Sequence, residues 1–141
     1  MASINNITIL GNLTRDPELR FTPSGSPVAN FGIAVSRKWQ NSIGEWQEDV
    51  SYVDVVAWTS LAENCAESLK KGDRIIVNGR LQMSTWETQD GQTRNKIKVV
   101  TRVIGPSLEW ATASITKNIK AQKVSSELLE GESGETNDIP F

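Results

Sequence analysis

The chain has 141 residues, 38% of them apolar and 23% charged, the size and balance of one globular domain with room for a tail. It holds no histidine and one cysteine, Cys65. This excludes histidine base catalysis, thiolate–imidazole zinc sites and an internal disulfide framework, and fits a reducing, cytoplasmic compartment. The net charge of −2 hides a division: residues 124–141 carry five acids and no base, while the first 123 carry 15 bases against 12 acids.

Ile7, Ile9 and residues 10–13 make a first strand, stopped by Asp16-Pro17. After the turn-rich stretch of residues 23–27, Ala29, Phe31, Ile33 and Val35 alternate with smaller or polar residues, the period-2 mark of a half-buried second strand. Gly44 lies in a polar loop, and residues 50–58, rich in β-branched and aromatic side chains, form a third strand. The period then changes. Leu61, Cys65 and Leu69, with Ala62 and Ala66 beside them, make one helical stripe. Ser60 and Glu63 have capping-box spacing, and Gly72 stands where a helix stop belongs. Cys65 falls in the stripe and is read as a core residue.

Residues 74–86 and 94–104 are the last two strands, joined by an Asp90-Gly91 turn signal. Along the second of these, Arg94, Lys96 and Lys98 share one face. The order β-β-β-α-β-β predicts a mainly all-β fold, a five-stranded OB-type barrel with its helix between strands three and four. A five-stranded open sheet with one covering helix satisfies the same pattern. Residues 1–110 are assigned to this domain and 111–141 to a linker and acidic tail. Within the latter, residues 111–123 hint at a short helix, and the segment after Val124 has too few apolar residues to pack and reads as disordered.

The aromatics point to a binding surface. Trp39 follows Arg37 and Lys38, Trp86 sits near a hairpin tip, and Trp46 lies in a polar loop, so none has an obvious apolar partner. In the third strand Val50, Tyr52, Asp54, Val56 and Trp58 take one face, while Ser51, Val53, Val55 and Ala57 take the other. The odd face is small and aliphatic and suits the core, which leaves Tyr52 and Trp58 facing outward. Flat rings among cations suit single-stranded nucleic acid, whose bases offer π-faces that a duplex hides; each stacking contact is worth roughly 1–3 kcal/mol. The candidate stacking residues are Trp39, Tyr52, Trp58 and Trp86. The candidate phosphate contacts are Arg20, Arg37, Lys38, Lys71, Arg80, Arg94, Lys96 and Lys98. An enzyme using carboxylate-bound metal ranks below this reading, because no clustered carboxylate pair stands out; no catalytic residue, metal ligand or cofactor is assigned, and no membrane partner is expected.

Many short segments, in order, carry a resemblance. They are Gly11-Asn12-Leu13, Asp16-Pro17-Glu18-Leu19-Arg20-Phe21, Pro23-Ser24-Gly25, Val28-Ala29-Asn30-Phe31, Val55-Val56-Ala57-Trp58, Leu61-Ala62-Glu63, Lys70-Lys71-Gly72, Gly79-Arg80-Leu81 and Asp138-Ile139-Pro140-Phe141. Together the chain resembles the bacterial single-stranded DNA-binding protein family over nearly its whole length. The resemblance implies an OB-fold homotetramer that wraps single-stranded DNA during replication, recombination and repair, in the cytoplasm on the nucleoid. It places the stacking roles on Trp39, Tyr52, Trp58 and Trp86. It also implies that Asp138, Ile139, Pro140 and Phe141 recruit replication and repair enzymes, the stiff apolar end and its carboxylate fitting a pocket rimmed by bases. Asp54, Ser60, Gln82 and Ser84 stand where the family often has Lys or Arg, which implies fewer phosphate contacts and a shallower salt dependence.

Overall fold

Alternation of apolar side chains decides where the chain extends. In a computed structural model, which describes residues 2–119, the elements are β1 (Ile7–Leu13), β2 (Glu18–Phe21), β3 (Pro27–Gln40), β4 (Trp46–Trp58), α1 (Thr59–Ser68), β5 (Arg74–Glu87) and β6 (Thr93–Pro106). The strands hydrogen-bond in the order β1-β5-β6-β4-β3-β2, and an added β1–β3 pairing at Asn12↔Ala34 and Leu13↔Ile33 closes five of them into a barrel. Closure overturns the open-sheet alternative. A parallel contact, β4 with β6 through Asp54↔Lys98, Val55↔Val99 and Val56↔Val100, completes the ring.

Strand β2 escaped the sequence reading. Its four residues, Glu18–Phe21, contain only Leu19 as an inward apolar residue, too short a run for alternation to register. It is held by pairing with β3, Leu19 opposite Ala29.

The barrel is filled by Leu13, Ala29, Phe31, Ile33, Val55, Ala57, Ile75, Val77 and Val99, with Ala62 and Cys65 of α1 and the Leu69 that follows it plugging one end. Phe31, Ile33, Val55, Ile75, Val77 and Val99 are almost wholly buried, and each such side chain contributes about 1.5–3 kcal/mol of transfer free energy. Burial pushes the Cys65 thiol up to about 11, so it stays protonated and inert. Gly79 marks a register shift in β5; an added Cβ there would run into the Val100 carbonyl oxygen, so only glycine lets β6 approach.

Three hairpin loops use one device. Thr22, Asn41 and Thr88 each donate an N–H to the carbonyl four residues on, at Ser26, Glu45 and Gln92. Each also accepts an N–H from the glycine three residues on, Gly25, Gly44 or Gly91, at φ of +91°, +85° and +84°. This is a type I turn closed by a left-handed glycine, a geometry that other residues enter only with strain.

The ends of α1 differ from the sequence reading. Its N-cap is Trp58, with no side-chain cap hydrogen bond, so Ser60 and Glu63 form no capping box. Instead the chain turns sharply at Thr59, whose φ is +59° and whose hydroxyl donates to the Trp58 carbonyl at 2.6 Å. Gly72 does not end the helix, which caps at Leu69 in extended backbone. It sits at φ +94° in the following turn, where Asp73 N–H reaches the Lys70 carbonyl and Gly72 N–H reaches Leu13. The helix expected over 111–123 is absent over 111–118, and beyond Ile119 that expectation lies outside the described residues.

Candidate nucleic-acid interface

Residues paired across neighbouring strands point to the same side of a sheet, so the register assembles the face. One row runs Arg20, Val28, Trp58 across β2, β3 and β4. The next runs Glu18, Asn30, Val56, Val100, Arg80, and the next Gly32, Asp54, Lys98, Gln82. Ala34 and Tyr52 extend it on the β3–β4 side, and Ser84–Lys96 and Trp86–Arg94 on the β5–β6 side. The even-numbered positions of β4 therefore share one outer face with Arg80 and Trp86 of β5 and with Arg94, Lys96 and Lys98 of β6.

On this face Tyr52 is 76% exposed, Trp86 46% and Trp58 42%. All three rings are open to solvent, as the outward reading of the even face requires. The odd face of the same strand, through Val55 and Ala57, enters the core. Trp58 occupies the last position before the Thr59 corner, so the left-handed turn into α1 fixes where its indole stands. Val56 and Val100, register partners between these rings, are buried and form an apolar floor.

The cations differ in how free they are. Lys96 Nζ lies 3.1 Å from Asp54 Oδ2, Lys38 Nζ lies 3.8 Å from Glu48 Oε2, and Arg20 pairs with Glu18. Arg80, Arg94 and Lys98 make no ion pair among the described residues. Arg94 leans instead toward Gln92 Oε1 at 3.5 Å, leaving the ring of its register partner Trp86 uncovered. Both partners in the Lys38, Lys96 and Arg20 pairs are more than a third exposed, so each pair is worth little and can exchange with an incoming anion.

Three candidates stand apart. Trp39 and Arg37 are odd-numbered residues of β3 and take the opposite side of the β3–β4 ribbon from Tyr52. Trp39 is half-buried, with the Arg37 guanidinium 4.8 Å from its ring centre. Lys71 lies on no strand; its backbone N–H donates to Asp16 Oδ1 at 2.8 Å in the turn before β5. Residues 138–141 lie outside the described residues.

Two rings outside the candidate set stand out. Trp46 is 69% exposed and Trp110 79%. Trp46 belongs to the even face of β4, which the sequence reading began only at Val50. Its loop setting signalled exposure, whereas its strand register did not show. Among the described residues no cluster of carboxylates and thiols is placed to hold a metal, and no helix is long and apolar enough to cross a membrane.

A barrel with an open face of rings and cations can now be set beside known proteins. The model of the single-strand binding protein family matches residues 4–106. The chain belongs to that family. It is similar to the single-stranded DNA-binding protein of Mycobacterium tuberculosis (strain H37Rv), 49% identical over 119 residues that cover 83% of this chain and 73% of that one. It is also 49% identical over 105 residues to single-stranded DNA-binding protein 2 of Chlorobaculum tepidum, covering 74% and 71%. Among solved structures it is similar to the Plasmodium falciparum SSB in its complex with ssDNA. The TM-score is 0.71 over 76% of this chain and 97% of that one, at 20% identity, a likeness of fold.

Proposed function

We propose that this protein binds single-stranded DNA without reading its sequence, protecting exposed strand during replication, recombination and repair. One observation carries the reading: Tyr52, Trp58 and Trp86 are open on the same outer face as Arg80, Arg94, Lys96 and Lys98. Bases of a single strand stack on the rings while phosphates follow the cations. Backbone phosphates and π-faces are common to every sequence, so this device has no means of choosing one. Arg20 and Lys38 flank the path at its two β3 ends. Trp39 with Arg37 on the reverse of the ribbon, and Lys71 beyond α1, serve a strand that continues around the barrel.

The role is non-catalytic binding in the cytoplasm, on the nucleoid. The assembled form is a homotetramer, for which the exposed apolar residues Ile76, Leu81, Met83, Ile97 and Val103 of β5 and β6 offer contact area. Asp138, Ile139, Pro140 and Phe141 recruit replication and repair enzymes, the stiff apolar residues and the Asp138 carboxylate fitting a base-rimmed pocket.

Titration with oligo-dT tests the central claim. Tryptophan fluorescence should be strongly quenched, and duplex of equal length should compete poorly because its base faces are hidden. Equal affinity for duplex would defeat stacking. Deleting Phe141 should leave dT affinity unchanged and abolish capture of repair enzymes from extract; retained capture would make the tip inert.

A further inference from the structure

The even face of β4 does not end at Tyr52. Trp46, Tyr52 and Trp58 recur at six-residue intervals along one strand, which places successive rings about 20 Å apart on the same side. Trp46 pairs with Gln40, and Lys38 pairs with Glu48, so Lys38 is the diagonal neighbour of Trp46 on that side. A shallow groove of about 470 Å³, lined by Lys38, Trp46, Gln47 and Glu48, runs beside the indole. Among the described residues no cation covers the Trp46 ring, in contrast to Trp39 and Trp110.

We propose that Trp46 is a further stacking site for single-stranded DNA, one that extends the bound strand along the β3–β4 ribbon beyond the barrel. This rests on the single-strand reading above. The groove admits one base against the indole, and Lys38 exchanges its loose partner Glu48 for the adjacent phosphate. Lys38 and Glu48 cancel on this side of the ribbon, so affinity here comes from stacking rather than from net charge. The site adds contacts only for a strand long enough to reach it from Tyr52.

Length and salt separate this site from the rest. Trp46→Ala should weaken an oligo-dT several times longer than one OB fold covers by about fivefold or more. It should leave an oligo of about 4 nucleotides, too short to bridge the roughly 20 Å from Tyr52, unaffected. Trp46→Phe should restore binding, and the fold-loss should be equal at low and high salt because few ions are released. Trp46 is exposed near a hairpin end, so thermal melting of the variant should match the wild type and serves as the folding control. Unchanged affinity for both lengths overturns the site. Equal loss for both lengths, or no rescue by phenylalanine, overturns its role as an extension. Tyr52→Ala or Trp86→Ala should weaken both lengths; if those variants bind normally, the single-strand reading itself fails, whatever Trp46 does.

Discussion

The rings of this protein fall into two groups that exposure alone would misorder. Trp110 is 79% exposed and Trp58 only 42%, yet Trp110 is the one already engaged. The Arg74 guanidinium lies 4.7 Å from its ring centre, and Arg74 Nε donates to Glu109 Oε1 at 2.8 Å. Arg74 also accepts the Ser107 N–H on its carbonyl at 2.8 Å, so the segment after β6 is clasped to the start of β5. That clasp holds the Glu109 carboxyl below its usual range, first through the Arg74 hydrogen bond and then through Ser107. Tyr52, Trp58 and Trp86 have no cation stacked on them among the described residues. A ring is available for a base when its face is free, which is a different property from how much water touches it. Trp39 falls between the groups, half-buried and capped by Arg37.

This division is easiest to break at its open end. Trp86→Ala or Tyr52→Ala should cost about 1–3 kcal/mol of oligo-dT affinity, roughly five- to 150-fold, with unchanged thermal melting. A fall in melting temperature without a fall in affinity would move these rings to the structural group. Trp39→Ala should cost about 1 kcal/mol, the low end of the stacking range, since a base must first displace Arg37. A loss as large as that of Trp86→Ala, measured in the same titration, would show that the arginine cap is no barrier. Trp110→Ala should do the reverse of Trp86→Ala. It should lower stability by about 0.5–1 kcal/mol, the value of an exposed cation–π contact, and leave dT affinity alone.

Much of this was legible in the sequence because it rests on period and parity. Tyr52 and Trp58 are even-numbered and Val53, Val55 and Ala57 odd, and that arithmetic alone separated the exposed face from the core. The same held for Arg94, Lys96 and Lys98. Glycine marked all three hairpin loops, since Gly25, Gly44 and Gly91 each need positive φ. What stayed hidden depends on partners distant in the chain. Strand β2 exists because β3 pairs with it, and its one inward residue, Leu19, gave no pattern to read. The corner at Thr59 replaces a capping box that local spacing favoured, because the chain must leave Trp58 on the outer face and still drop Ala62 and Cys65 into the barrel end. Trp39 looked equivalent to Trp86 because both have polar sequence neighbours; only the register puts them on different sides, and only the folded structure reveals the Arg37 cap.

The smallest expected effect lies within the open face itself. Asp54 sits in the row between Gly32 and Lys98, and its carboxylate holds Lys96 Nζ at 3.1 Å. On the proposed reading, a phosphate reaching Lys96 would have to displace Asp54 and then lie beside its charge, which would make this lysine a weaker contact than its place on the face implies. Removing the charge while keeping the shape, Asp54→Asn, should free Lys96 and tighten dT binding a few-fold, the scale of an exposed ion pair. One more phosphate neutralised also steepens the slope of log affinity against log salt by about 0.7 for a single strand. The two readouts must move together. Tighter binding with an unchanged slope would mean that Asp54 acts by general repulsion rather than by occupying Lys96. An unchanged affinity would mean that the strand passes over the rings of β4 without approaching this lysine.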